Sequence, residues 1–217
     1  MQMQNYRTVL KPIETETVIK KSRFIAQVHP VRDEAEVGEI LTAVKKEHYK
    51  ATHVCSAYIL NTVPEKKKAS DDGEPSGTAG RPILDVIERK KLKNVLVLVI
   101  RYFGGIKLGA SGLVRAYAGA AAGALSAAVL VDKTLCDTPK VVIDYPQYGA
   151  LSNKLTEWGT PPAGETFEDK VTLSFEIPTT ETEAFHQKLI DTLSGRLDWS
   201  LGEQIVVYKP VDDSPAE

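Results

Sequence analysis

Apolar residues recur along this chain with two periods, and the switches between them mark out the elements. Tyr6 to Val9 and Thr15 to Ile19 read as short strands separated by Lys11-Pro12, and Lys21 to Val28 (KSRFIAQV) alternates polar with apolar as a half-buried strand does. After Pro30 the period lengthens: Asp33 offers an N-cap, and Val37, Ile40, Leu41 and Val44 fall at helical spacing before Lys45, Lys46 and His48. Thr52 to Leu60 reads as the next strand. Asn61 to Gly80 has no apolar period and is expected to be a loop, of a length (about 20 residues) that inside a compact domain is usually mobile or functional. Pro82 to Ile87 predicts a short helix. Asn94 to Ile100, with three valines and two leucines, predicts a central strand covered on both faces. Leu113 to Val131 predicts an alanine-rich helix. Its 16 uncharged residues from Ala116 to Val131 fall short of the roughly 18 to 20 that span a bilayer, so a buried helix is expected.

The pattern changes beyond the polar stretch Asp132 to Pro139. Val141 to Asp144 predicts a strand, Tyr148 to Trp158 a helix, Thr166 to Ile177 a strand, Glu181 to Leu193 a helix and Trp199 to Tyr208 a strand. With the long middle segment split in two, this is the βαββαβ plan of ferredoxin-like domains. The expected class is α+β, with domains at 1–133 and 134–210 and an acidic, disordered tail at 211–217.

Length allows one large domain or two small ones, since 217 residues exceed the usual domain of about 100 to 150. A hydrophobic fraction of 42% beside 26% charged residues is that of a globular protein able to bury a core. The net charge of -2 conceals a split: residues 1–133 carry 21 Lys and Arg against 14 Asp and Glu, and residues 134–217 carry 6 against 15. A basic first half points either to an anionic partner such as nucleic acid or to attraction between the two halves themselves. Cys55 and Cys136 lack disulfide-framework spacing, and no apolar signal core opens the chain, so a cytoplasmic protein with reduced thiols and no membrane partner is expected.

Two glycine-rich stretches carry the candidate chemistry. RYFGGIKLGASGLVRAY (Arg101 to Tyr117) places Gly104, Gly105, Gly109 and Gly112 with Arg101, Lys107 and Arg115 between a buried strand and a helix, a combination that favours an anion. SDDGEPSGTAG (Ser70 to Gly80) gathers Asp71, Asp72 and Glu74 beside Ser76 and Thr78. Its carboxylates suit magnesium or Asx-type turns, or they neutralise the cations of the other stretch; Ser76, Thr78 and the glycines suit a phosphate. Neither stretch is a GxxxxGK[ST] or GxGxxG turn. His48, His53 and Cys55 lack a fourth ligand at zinc spacing, and Ser70, Ser76, His53 and Asp71 lack a nucleophile elbow. The lysine runs Lys66-Lys67-Lys68 and Arg89-Lys90-Lys91 could contact phosphates, and Tyr102, Phe103 and Tyr117 could stack on bases.

KSRFIA (Lys21 to Ala26), ATHVCSAYIL (Ala51 to Leu60), SDDGEPSGTAGRPIL (Ser70 to Leu84) and RYFGGIKLGASGLVRAY together resemble the IMPACT family, in its bacterial YigZ/YvyE type. Ser111 departs from the glycine found there in many members. The resemblance implies a first domain similar to the second domain of ribosomal protein S5 and a ferredoxin-like second domain. Eukaryotic members restrain a starvation-responsive kinase that acts on a translation initiation factor, a pathway absent from bacteria. With the charge split, the resemblance leads to the expectation of a translation-associated regulatory protein that contacts RNA or the ribosome through its basic first domain; no cofactor is expected. Arg101, Lys107 and Arg115 would meet phosphate, and Asp71, Asp72 and Glu74 would position them. The alternatives are a magnesium-dependent enzyme on a phosphorylated small molecule or nucleotide, and a protein-binding adaptor.

Overall fold

The computed structural model of the chain describes residues 5–211. It comprises two compact units: one is Tyr6–Lys133 with Tyr208–Val211, the other Thr134–Val207 with Asn5.

In the first unit the strands are β1 (Tyr6–Val9), β2 (Ile13–Ile19), β3 (Ser22–Pro30), β4 (His53–Leu60), β5 (Lys66–Ser70) and β6 (Val95–Tyr102). Its helices are α1 (Glu34–Glu47), α2 (Gly80–Arg89) and α3 (Ala110–Ala127). Five strands form one sheet in the order β2-β3-β6-β4-β5, antiparallel at every step. The period of two in β6 sends Val95, Val97 and Val99 into a core with Phe24, Cys55 and residues of α2 and α3. Leu96, Leu98 and Ile100 enter a second core with Val37 and Val44 of α1. The central strand expected from the apolar run is therefore present. Its double burial comes from helices on both faces, not from parallel neighbours.

Local chemistry accounts for the helices. Asp33 accepts the Glu36 N–H at 2.9 Å, and lysines 45 and 46 complement the dipole in the last turn of α1. In α3, Leu113, Ala116, Tyr117, Ala120, Ala121, Ala124 and Leu125 are buried at helical spacing, and the alanines let the helix lie close to the sheet. It ends at Ala127, short of the expected Val131, because Leu130 and Val131 begin β7 (Leu130–Asp137) and pair with Val9 and Thr8 of β1.

The expected loop from Asn61 to Gly80 is interrupted by β5, which pairs with β4. All five of its residues are exposed, so it has no apolar alternation to read, and its lysines protect an open sheet edge.

The second unit contains β8 (Pro139–Ile143), α4 (Tyr145–Glu157), β9 (Gly164–Phe167), β10 (Val171–Ser174), β11 (Ile177–Pro178), α5 (Thr182–Leu193) and β12 (Asp198–Leu201), followed by β13 (Ile205–Pro210). Its sheet runs β12-β8-β10-β9, all antiparallel, the strand order of a ferredoxin-like βαββαβ domain. Leu151 and Leu155 of α4 and Phe185, Leu189 and Leu193 of α5 pack on Val141, Ile143, Val171 and Leu173. The expected strand Thr166–Ile177 divides into β9, β10 and the two-residue β11, and Trp199–Tyr208 divides into β12 and β13.

Tyr208 to Val211 belong to the first unit. The Lys133 ammonium lies 5.4 Å from the Tyr6 ring centroid and 5.8 Å from that of Tyr208. Val211 donates its N–H to the Leu130 carbonyl at 3.0 Å and packs on the first core. Of the expected acidic tail, residues 212–217 lie outside the described residues.

Candidate nucleic-acid interface

The acidic loop between β5 and α2 is held by its own carboxylates. Asp71 accepts the N–H groups of Ala79 at 2.9 Å and Gly80 at 2.8 Å on one oxygen, and that of Gly77 at 2.8 Å on the other. It thereby closes the loop and supplies the start of α2 with an acceptor that Ala79 lacks. Burial would raise the Asp71 carboxyl, but the three N–H bonds outweigh it and hold the group below the usual carboxylate range. Asp72 sits at φ 45, in the left-handed region. Its carboxylate accepts the Val54 N–H at 2.7 Å and lies 2.6 Å from the Lys45 ammonium of α1. Burial opposes these contacts, yet they lower its pKa too.

Glu74 turns the other way, into the face covered by α2 and α3. Its Oε1 lies 2.5 Å from Arg101 Nη1 and accepts the Tyr117 hydroxyl at 2.7 Å. The Arg101 side chain is 7% exposed and that of Glu74 3%, so this is a buried charge pair. The guanidinium lies 5.6 Å from the Phe24 ring centroid and 5.4 Å from that of Phe103. His53 Nδ1 is 2.8 Å from the Asp72 carbonyl oxygen, which places the proton on Nδ1, and its Nε2 lies 3.9 Å from Glu74. Cys55 donates to the Asp71 carbonyl at 3.0 Å, and burial pushes its thiol up to about 12, which keeps it neutral. The two glycine-rich stretches therefore meet, through Glu74, Arg101 and Tyr117. Asp72 takes no part in that contact, because its carboxylate faces α1. Each of the three acids is engaged by protein donors: Asp71 by backbone N–H groups, Asp72 by Val54 and by Lys45, a cation outside the glycine stretch, and Glu74 by Arg101 and Tyr117.

The glycine stretch leaves β6 and leads into α3. Gly104 donates its N–H to Ser22 Oγ at 3.1 Å. A Cβ there would lie 2.0 Å from the Lys21 carbonyl carbon, so only glycine lets this loop press against the β2–β3 hairpin. Gly105 and Gly109 hold φ of 82 and 74, and Gly109 caps α3 without a side-chain bond. Gly112 sits in the first turn of α3, half-buried near Leu108.

The predicted cations and hydroxyls divide by exposure. Arg101 is enclosed, and Thr78 is buried with its hydroxyl donated to the Pro75 carbonyl at 2.6 Å, whereas Ser76, Lys107 and Arg115 are exposed. Lys66 pairs with Glu34, and Lys67 with Glu65 and Glu88. Lys20 and Lys21, at the tip of the hairpin against Gly104, are exposed at φ 46 and 64. Among the described residues none of Lys20, Lys21, Lys107 and Arg115 has an ion-pair partner. The hairpin pair escapes motif reading; its only signal is two lysines between two alternating runs. Of the three candidate stacking residues, Tyr117 is 0% exposed, and Tyr102 is half-buried with its hydroxyl 2.9 Å from His48 Nδ1. Phe103 is 48% exposed.

Two α+β units, the first a helix-covered antiparallel sheet with a buried Arg–Glu pair joining two glycine loops and the second ferredoxin-like, define the class of protein. Family models agree with this division: the Impact N-terminal domain matches residues 20–125, and a domain of unknown function, DUF1949, matches residues 141–196. The IMPACT family member YvyE of Bacillus subtilis (strain 168) is 38% identical over 210 residues, 97% of each chain. The IMPACT family member YigZ of Escherichia coli (strain K12) is 29% identical over 197 residues, 90% of this chain and 97% of that one. A crystal structure of "an hypothetical protein" superposes with a TM-score of 0.59 at 29% identity, covering 93% of this chain and 99% of that one. The chain belongs to the IMPACT family. No helix among the described residues is long and apolar enough to cross a membrane.

Proposed function

We propose that this protein is a translation-associated regulatory binding protein whose first unit contacts RNA, free or in the ribosome. The observation that carries the reading is a set of exposed cations without ion-pair partners among the described residues, on the elements that meet or flank the glycine loop: Lys20 and Lys21 at the hairpin tip against Gly104, Lys107 within the loop and Arg115 in the helix it leads into. Phosphates attract such cations, and the exposed backbone of Gly105 and Gly109 allows close approach. Ser76 adds an exposed hydroxyl on the neighbouring acidic loop. Arg101 takes a supporting part: clamped by Glu74, it holds the base of the loop instead of meeting phosphate itself. The IMPACT resemblance supplies the link to translation. A magnesium-dependent reaction has less support, because Asp71, Asp72 and Glu74 already direct oxygens to protein donors.

Co-sedimentation with bacterial ribosomes and filter binding to total RNA across a KCl series test the reading. Binding is expected to weaken steeply with salt, and the variant with Lys20, Lys21, Lys107 and Arg115 all changed to Glu is expected to lose it. Absence of salt-sensitive binding by the unaltered protein, or undiminished binding by the variant, would refute it; capture of a protein partner with a flat salt response would favour an adaptor.

A further inference from the structure

We infer that the glycine-loop surface is built for single-stranded RNA, with Phe103 as the platform on which an unpaired base stacks. This rests on the reading above and names the form of nucleic acid it selects. Phe103 is the first residue beyond β6, and its N–H donates to Thr52 Oγ1 at 3.0 Å, which anchors its backbone. Its ring lies against the Arg101 guanidinium, 5.4 Å from centroid to carbon, and that guanidinium is itself held by Glu74 and Phe24. The ring is thus supported from within by a group that cannot move freely, while 48% of the residue remains exposed. A rigid aromatic face open to solvent loses little conformational entropy when a base covers it.

The surroundings supply the other half of such a site. The Lys20-Lys21 hairpin tip lies against Gly104, the residue after Phe103; Lys107 follows four residues on in the same loop, and Ile106 of that loop is 41% exposed. Cations beside a stacking ring are the pairing that single-strand binders use, one for backbone and one for base. A duplex offers its phosphates and 2′-hydroxyls but hides its base faces, so it would use the lysines and leave Phe103 idle. Tyr117 is enclosed, and Tyr102 is half-buried between His48 and Arg23, so Phe103 is the most exposed of the three rings.

The test uses the full chain with two fluorescein-labelled probes of equal length, an unstructured oligoribonucleotide and a blunt RNA duplex, in anisotropy titrations at several KCl concentrations. Phe103→Leu keeps an apolar side chain on Arg101 and removes the π face; Phe103→Trp restores it. The unaltered protein should prefer the single strand. Phe103→Leu should weaken that binding about tenfold with an unchanged salt slope and leave duplex binding alone, and Phe103→Trp should recover it. A Lys107→Gln/Arg115→Gln variant should instead lower the salt slope for both probes. If Phe103→Leu binds the single strand as the unaltered protein does while Lys107→Gln/Arg115→Gln loses affinity, the stacking inference fails and RNA binding stands. If the unaltered protein binds neither probe in a salt-sensitive manner, the underlying reading fails with it.

Discussion

Replacing Glu74 with alanine removes the carboxylate that balances Arg101 inside the first unit and takes the acceptor from the Tyr117 hydroxyl. Both side chains of the pair are nearly inaccessible, at 7% and 3%, so water cannot take over the lost role without opening the core. Breaking a buried ion pair from one side costs about 3 to 5 kcal/mol, and the Tyr117 hydroxyl, left with only the weak acceptor Cys55, acts in the same direction. A loss of about 4 kcal/mol is a large share of a domain's usual 5 to 15 and, for a unit of this size, lowers the melting temperature by about 15 °C. Urea unfolding monitored by far-UV circular dichroism measures it. Trp158 and Trp199, the two tryptophans of the chain, both lie in the second unit, so fluorescence separates that unit's transition from the one perturbed. Arg101→Met/Glu74→Met, which removes both charges and fills the space, should recover at least half of the lost stability. A cost below about 1 kcal/mol for Glu74→Ala would refute the description of the pair as desolvated, and a double variant no better than the single one would refute the role assigned to the unbalanced charge.

Two further outcomes follow from the loops. Gly104→Ala would place a Cβ 2.0 Å from the Lys21 carbonyl carbon and should cost about 2 to 3 kcal/mol in thermal unfolding, because backbone meets backbone and one must move. Gly105→Ala meets open space and bears only the strain of φ 82, about 1 kcal/mol; equal costs at the two positions would contradict the close approach. Asp71 has a native pKa below its ordinary value, so its contribution is present above about pH 4 and is lost as pH falls through the native pKa. Urea midpoints measured from about pH 5 down to pH 2 should therefore fall less steeply for Asp71→Asn than for the unaltered protein, with the part due to Asp72 remaining; parallel curves would refute the assignment.

Elements with strong periodicity were legible in the chain alone. The cap at Asp33 and the 3.6-residue spacing behind it define α1, the valine-leucine run defines β6, and the βαββαβ alternation defines the second unit. These depend on near neighbours in sequence. β5 was hidden for the opposite reason: an edge strand exposed on every residue buries nothing, so KKKAS bears no mark of the pairing with β4 that makes it a strand.

The site divides along the same line. The residue types of Asp71 to Glu74 allowed magnesium, turns or cation pairing alike, and the glycines after β6 allowed a close approach of the backbone; neither chose a partner. Which acid meets which base was not readable from them. Arg101 continues the alternation of Val95, Val97 and Val99, so it points to the α2 and α3 face, where Glu74 follows it while Asp72, two residues earlier, reaches Lys45 on the other side. The hairpin of Lys20 and Lys21 comes to Gly104 across 82 residues of chain at the Ser22 bond, and Phe103 stays outside while Tyr117 is enclosed. Those outcomes follow from strand register and helix packing, which pair residues distant in the chain, whereas periodicity reports only on residues a turn or a pleat apart.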